Sequence, residues 1–338
     1  MPPLARSLIF ASLASIVASQ KILLTNDDGW AVAIIRAQEN ALNDAGYDVV
    51  LSCPAINKSG TGSSTATPTP VPSPGCEFST CPTASPATGF NATNPRENYV
   101  NAFPVDSARF GIQTLSPKFF GSPPDFVVSG PNVGSNVGST VLISGTVGAA
   151  IEAALEGFPA IAFSSATGSQ VSYTTLDSDP TSTSTRSALV YSQLAVNLVD
   201  QILSTAKPFL PAGTLLNVNF PSFFNACSSV DDFSFVLTRI NSANSSTPPD
   251  VATCGTTRLP TESSVIARSG CFISVSVMLS SNKGDANSTM QGVVLGKLAP
   301  ILTCSKRRYL LKLDNLVVLV ATLLRYILEK VFSLDVDW

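Results

Sequence analysis

From Lys21 onward the chain alternates between short apolar runs and amphipathic stretches. Lys21–Leu24 is a compact, mostly apolar run that leads into the polar turn Thr25-Asn26-Asp27-Asp28-Gly29, and it reads as a buried strand. Apolar residues then recur at helical spacing from Ala31 to Ala45, with Gly46 placed as the stop. Tyr47–Cys53 is the next strand, ended by Pro54. Strand, helix and strand at this spacing make a βαβ unit, which demands parallel pairing with a right-handed crossover. The rhythm returns with strand Asp125–Val128, helix Gly145–Leu155, strand Phe158–Phe163, helix Ser187–Ser204 and strand Leu215–Asn219. The expected fold class is α/β, a parallel sheet flanked by helices, with a smaller irregular C-terminal extension.

Two stretches break the rhythm. Residues 61–88 and 241–264 are rich in Ser, Thr and Pro and read as solvated surface loop. The first of them emerges beside the polar strand ends, which gives it a second reading as a lid. At the N-terminus, Arg6 precedes the apolar stretch Leu8–Ala18, and Ala18 and Ser19 are small enough for cleavage. This run is too short for a membrane span, which needs ~20 apolar residues. It is expected to be a secretory signal occupying 1–19, with an extracellular product and no stable membrane anchor. Seven cysteines fit an oxidising compartment. Cys76 and Cys81 can close a small loop, Cys227, Cys254, Cys271 and Cys304 can pair among themselves, and Cys53 in its buried strand is the expected free thiol. Sequons at Asn91, Asn244 and Asn287 agree with a secreted glycoprotein. Near the C-terminus, Lys306-Arg307-Arg308 precedes an apolar run around Leu316–Leu324.

Composition narrows the chemistry. The 338 residues carry a formal net charge of −3 with no basic run in the main body, so nucleic acid is not an expected partner. The chain contains no histidine, which removes Ser-His-Asp and Cys-His catalysis and imidazole-ligated zinc. Hydrolytic chemistry here has to run on carboxylates, hydroxyls, amides, backbone dipoles or an oxygen-ligated metal.

Ligand sites on open α/β sheets lie beyond the carboxyl ends of the strands. Asp27 and Asp28 fall at such an end, and adjacent carboxylates in a turn repel unless a cation neutralises them. The plainer alternative is that one of them caps the following helix. The second strand runs into Asn57-Lys58-Ser59-Gly60-Thr61-Gly62, where Ser59 can offer a hydroxyl to metal or phosphate. The third runs into Ser129-Gly130-Pro131-Asn132-Val133-Gly134-Ser135-Asn136, where Asn132 can offer an amide oxygen. Ser144-Gly145-Thr146 opens a helix whose N-terminus suits an anion, a role compatible with simple capping by Ser144. Neither GxGxxG nor GK[ST] occurs. Oxygen-only ligation favours Mg²⁺ or Mn²⁺.

Together Leu24-Thr-Asn-Asp-Asp-Gly29, Ser59-Gly60, Ser129-Gly-Pro-Asn-Val-Gly-Ser-Asn136, Ser144-Gly-Thr-Val-Gly-Ala-Ala150, Phe158-Pro-Ala-Ile-Ala-Phe-Ser164 and Leu215-Leu-Asn-Val-Asn-Phe-Pro221 resemble the SurE family of phosphatases and 5′-nucleotidases, and its secreted fungal acid phosphatases in particular. The resemblance covers roughly 21–304, which sets the expected phosphatase domain at 20–304 and leaves 305–338 as an extension. It implies a Rossmann-like core and hydrolysis of nucleoside 5′-monophosphates or other small phosphomonoesters. It also implies a divalent metal on Asp27, Asp28, Ser59 and Asn132, and phosphate contacts from Asn26, Ser144, Gly145 and Thr146. Asp27 and Asp28 would be the catalytic pair, with Asp28 orienting or deprotonating water. Copies of such proteins associate through the C-terminal region, so a homo-oligomer is implied. Two rival expectations stand beside this one: a non-catalytic nucleotide- or glycan-binding protein on the same scaffold, and a sugar-nucleotide transferase.

Overall fold

The first apolar run forms β1 (Lys21–Thr25), the amphipathic stretch behind it forms α1 (Ala33–Asp44), and the chain returns as β2 (Asp48–Pro54). These belong to a computed structural model that describes residues 19–304 other than Asn225. The expected signal segment up to Ala18 and the extension 305–338 lie outside the described residues. A hairpin of β3 (Thr88–Asn91) and β4 (Asn94–Val100) follows, then α2 (Pro104–Phe110) and α3 (Ser116–Phe120), joined by a π-helical turn at Gly111–Leu115. Next come β5 (Phe126–Val133), α4 (Gly145–Leu155), β6 (Ala160–Ser165), the short α5 (Thr175–Ser178) and the long α6 (Thr183–Leu203). The described chain ends with β7 (Thr214–Phe220), β8 (Ser234–Thr238), α7 (Glu262–Ile266), β9 (Phe272–Leu279) and α8 (Ser288–Leu298).

All nine strands join one sheet, in the order β3-β4-β2-β1-β5-β6-β7-β9-β8. The pairs from β4 through β7 are parallel. The expected parallel sheet is present as a mostly parallel one, with two antiparallel pairs, β3 with β4 and β9 with β7. A two-residue hairpin can join only antiparallel strands, which accounts for β3–β4. Strands β8 and β9 and helix α8 belong to the main sheet and its helical layer, all within the expected 20–304 domain.

Alternate side chains on the central strands build two cores. Ile22, Leu24, Val128, Ile161 and Phe163 face one way and pack with α1 and α6 residues such as Ile35, Tyr191 and Leu198. Leu23, Val127, Ala162 and Leu215 face the other way and pack with Val147, Ala150 and Ile151 of α4. The result is a helix–sheet–helix sandwich in which the parallel strands β4, β2, β1, β5, β6 and β7 point their carboxyl ends to one rim.

The cysteines pair as the sequence allowed. Bridges join Cys76–Cys81, Cys227–Cys271 and Cys254–Cys304, and Cys53 is a buried free thiol. The 241–264 loop is anchored by Asp250, which accepts from Arg239 at 2.8 Å, from the Leu259 N–H at 3.0 Å and from Gln291 at 3.0 Å. Among the described residues no helix is long and apolar enough to cross a membrane.

Glu262 opens α7 inside this packing. It accepts from Asn217 at 2.7 Å and from the Gly138 N–H at 3.3 Å, and burial pushes its carboxyl up to about 8. A folded-state value above the ordinary ~4.3 of a free glutamate means the native protein holds this proton more tightly than the unfolded chain. The stability contributed is complete below about pH 4.5 and is lost as pH rises towards 8. Glu262→Gln copies the neutral form, so thermal unfolding at pH 5 and pH 8 is expected to show a smaller loss with rising pH in the variant than in the wild type. Equal losses in both would rule out a neutral Glu262.

Candidate active site

Asn26–Gly29 leaves β1 as a tight loop. The Asn26 side chain braces it, donating to the Gly29 carbonyl at 2.8 Å and accepting from the Gly29 N–H at 3.2 Å. The two aspartates diverge from there. Asp27 turns to the N-terminus of α4, where it accepts the Thr146 hydroxyl at 2.5 Å and the backbone N–H groups of Gly145 and Thr146. Asp28 turns to β5, accepting the Val133 N–H at 2.7 Å, Gln170 at 2.5 Å and the Ser59 hydroxyl. Neither aspartate caps α1. The N-cap of that helix is Val32, and the Ala33 N–H goes to the Val171 carbonyl. The capping alternative therefore fails on geometry.

The site thus draws together Asp27, Asp28, Ser59 and Asn132 from the ends of β1, β2 and β5, and the Ser144-Gly145-Thr146 turn from the N-terminus of α4. Asn132 reaches it through an irregularity in β5, where the register with β6 shifts between Ser129 and Asn132. Its amide nitrogen donates to the Gly134 carbonyl at 2.5 Å, which leaves the amide oxygen as the atom for a cation. Asn136 fastens the same segment to β6 and β7, bonding Ser164 at 2.8 Å and the Asn219 side chain at 2.8 Å. Ser144 is the side-chain cap of α4, accepting from the Val147 N–H at 3.1 Å. The anion that α4 receives in this structure is thus the carboxylate of Asp27.

Three site residues carried no signal in the sequence. Gln170 comes from the loop after β6 and touches both Asp28 and Ser59, the latter at 3.4 Å. Lys58 stands beside Ser59, with its ammonium 5.6 Å from the Phe103 ring centre. Glu77 belongs to the Ser/Thr/Pro-rich stretch and accepts the Ala31 N–H at 2.7 Å. Burial, and then the negative charge of Asp28, push Glu77 up to about 8 against the lowering effect of the Ala31 hydrogen bond. The rest of 61–88 runs over the ends of β2 and β4, held by bonds such as Asn101 to the Thr69 carbonyl at 2.8 Å.

Electrostatics defines what this site wants. Asp27 and Asp28 are 2 % and 0 % exposed, and burial raises both. For Asp28 the charge of Asp27 adds to burial and takes it up to about 7. Among the described residues no lysine or arginine pairs with either aspartate, and no third histidine, cysteine or acidic side chain completes a cluster. Two adjacent buried carboxylates with no counter-charge, ringed by neutral oxygen donors, fit a hard divalent cation. Ser59 and Gly60 are exposed, so the approach from solvent is over their loop.

Fold and site together define an α/β protein with an acidic, oxygen-lined cluster at the carboxyl rim of its central parallel strands. The profile of the SurE family, described as survival protein SurE, matches residues 22–247, and the chain belongs to that family. It is 34% identical over 206 residues to an acid phosphatase of Yarrowia lipolytica, covering 59% of this chain and 56% of the relative. It is 36% identical over 201 residues to a 5′-nucleotidase SurE of Nostoc sp., covering 60% and 63% respectively. The chain thus spans less than two thirds of the length of these relatives. A crystal structure of the SurE protein from Aquifex aeolicus superimposes with a TM-score of 0.53 at 21% identity, covering 81% of this chain and 98% of that one, which bears on the fold alone.

Proposed function

We propose that this chain is a divalent-metal-dependent phosphomonoester hydrolase acting on nucleoside 5′-monophosphates or other small phosphomonoesters. The observation that carries the reading is the uncompensated, buried Asp27–Asp28 pair, with Asp28 bonded to Ser59 and to the Val133 N–H next to Asn132. Relatives named acid phosphatase and 5′-nucleotidase support it. Asp27, Asp28, Ser59 and Asn132 would hold Mg²⁺ or Mn²⁺, which when bound neutralises phosphoryl oxygens and acidifies water.

The chain's own groups do the rest. Thr146 and the first amides of α4 fix Asp27, the Thr146 hydroxyl through the Oδ1 oxygen. The Val133 N–H and Gln170 fix Asp28, which orients the attacking water. Because α4 already serves Asp27, the phosphate is assigned to the exposed Ser59–Gly60 side, where Lys58 supplies positive charge. Release of phosphate from p-nitrophenyl phosphate and from adenosine 5′-monophosphate is expected with Mn²⁺ and is expected to stop on chelation. No release with either metal would end this reading and leave the non-catalytic binding protein in its place.

A further inference from the structure

The turn Cys76–Cys81 is an inward excursion of a mostly exposed stretch, and its contacts converge on one target. Glu77 reaches the acidic loop from outside the strand ends. One carboxylate oxygen accepts the Ala31 N–H at 2.7 Å. The other lies where a side chain on Gly29 would stand, 2.2 Å from an ideal Cβ, and Gly29 has φ +116°. A third grip comes from Thr80, whose hydroxyl accepts the Trp30 indole N–H at 3.0 Å. Residues 29, 30 and 31, the three that follow Asp28, are thereby each held by the same turn.

The turn is itself fixed. The Cys76–Cys81 bridge closes it, with the Cys76 N–H on the Cys81 carbonyl at 3.0 Å. The Glu77 N–H bonds the Ala55 carbonyl at 3.2 Å, just past the end of β2, and the Thr80 hydroxyl donates to the Glu77 carbonyl at 2.7 Å. Cys76 is buried. A short covalently closed turn thus transfers the rigidity of the sheet to the loop that carries both aspartates.

We propose that the disulfide-closed turn Cys76–Cys81 is a clamp on the acidic loop, and that Glu77 is the positioning residue through which it presets Asp27 and Asp28 for the cation. The proposal rests on the cation-site reading above. Glu77 acts as a hydrogen-bond acceptor and a spacer against Gly29, so glutamine can replace it and alanine cannot. Loss of an outer-shell partner typically weakens metal affinity about 10–100-fold. Titration of Mn²⁺ by calorimetry is expected to show a loss of that size in Glu77→Ala, with Glu77→Gln close to the wild type. The double variant Cys76→Ala/Cys81→Ala, which leaves Glu77 in place but opens the turn, is expected to move in the same direction as Glu77→Ala. In the metal-free proteins, hydrogen exchange at the Ala31 amide is expected to be faster in Glu77→Ala and in the double variant. Wild-type Mn²⁺ affinity in Glu77→Ala, or equal loss in Glu77→Gln, would overturn the clamp. Should the wild type itself bind no Mn²⁺, the cation reading fails. Exchange at Ala31 still decides the clamp, and an unchanged rate in both variants would overturn it.

Discussion

Asp27→Asn is expected to abolish most turnover while making the metal-free protein harder to unfold. The opposite signs follow from one fact: Asp27 is a buried carboxylate without a counter-charge. In the metal-free fold its negative charge is opposed by desolvation and by Asp28, so a neutral amide relieves both. With cation present the same charge is what binds. Asparagine also has to keep its oxygen towards the Thr146 hydroxyl and the α4 amides, which are all donors, and this turns its NH₂ to the cation. A direct ligand should matter more than an outer-shell partner, so the loss of activity is expected to exceed about a hundredfold. Excess Mn²⁺ should restore a part of it. Thermal unfolding gives the check, because a bound ion raises the midpoint of the folded state alone. The wild type should gain stability on Mn²⁺ addition, and Asp27→Asn should start higher and gain little. A full Mn²⁺ response in the variant would remove Asp27 from the cation site. The hydrogen bond at 2.5 Å also makes Thr146 a partner of Asp27, so Thr146→Ala should weaken cation binding as well.

Gly130→Ala is expected to be the most disruptive small change at the site. Gly130 has φ +95°, in the region that L side chains avoid, and an added Cβ would stand 2.3 Å from the Phe163 carbonyl oxygen. That oxygen belongs to the backbone of β6, in the middle of the sheet, and cannot swing away. Conformational strain of ~1–3 kcal/mol and overpacking of ~1–3 kcal/mol add to a destabilisation of about 2–6 kcal/mol. At roughly 2–4 °C per kcal/mol the unfolding midpoint should fall by about 4–24 °C. The function should suffer beyond the stability, because the β5 irregularity that carries Asn132 to the aspartates is built around this residue. Measured well below the unfolding transition, Mn²⁺ affinity should still be lower than in the wild type. A soluble Gly130→Ala protein with an unchanged midpoint would show that β5 can accommodate the methyl group.

The parts of the fold that could be read from residues alone are those in which one physical signal dominates. The strands at 21–25, 48–54 and 160–165 are buried on both faces and therefore carry compact apolar runs, Ile22–Leu24, Val49–Leu51 and Ala160–Phe163. The helix at 33–44 keeps an amphipathic period, and the one at 145–155 is an Ala-rich, mostly buried run behind a Ser-Gly-Thr start. The hairpin at 88–100 gives no clear signal because its strands are Asn-rich and mostly only half-buried, with the four-residue β3 at the sheet edge. The helical stretch 104–120 is interrupted by a π turn, which breaks its period. In α6 the start at Thr183 hid in a run of Ser and Thr, although Ser182 caps it by accepting from the Thr185 N–H at 3.2 Å. The site divides along the same line. Asp27, Asp28, Ser59 and Asn132 sit where strands end, which their order in the chain reveals. Gln170 and Glu77 arrive from loops, and nothing local to Ser169-Gln170-Val171 or Cys76-Glu77-Phe78 points back to residue 28.

The two later disulfides overlap along the chain, and this has a topological consequence. Cys227–Cys271 spans every peptide bond from 227 to 271, and Cys254–Cys304 spans every one from 254 to 304. A single break anywhere in that region, including the exposed residues 241–249, therefore leaves two pieces that remain one molecule. Strands β8 and β9 and helices α7 and α8 all lie within the spanned length, so none of them can diffuse away after one cut. The two-strand end of the sheet beyond β7 is in this sense a ring rather than a tail, and a protease must cut it twice to remove any of it.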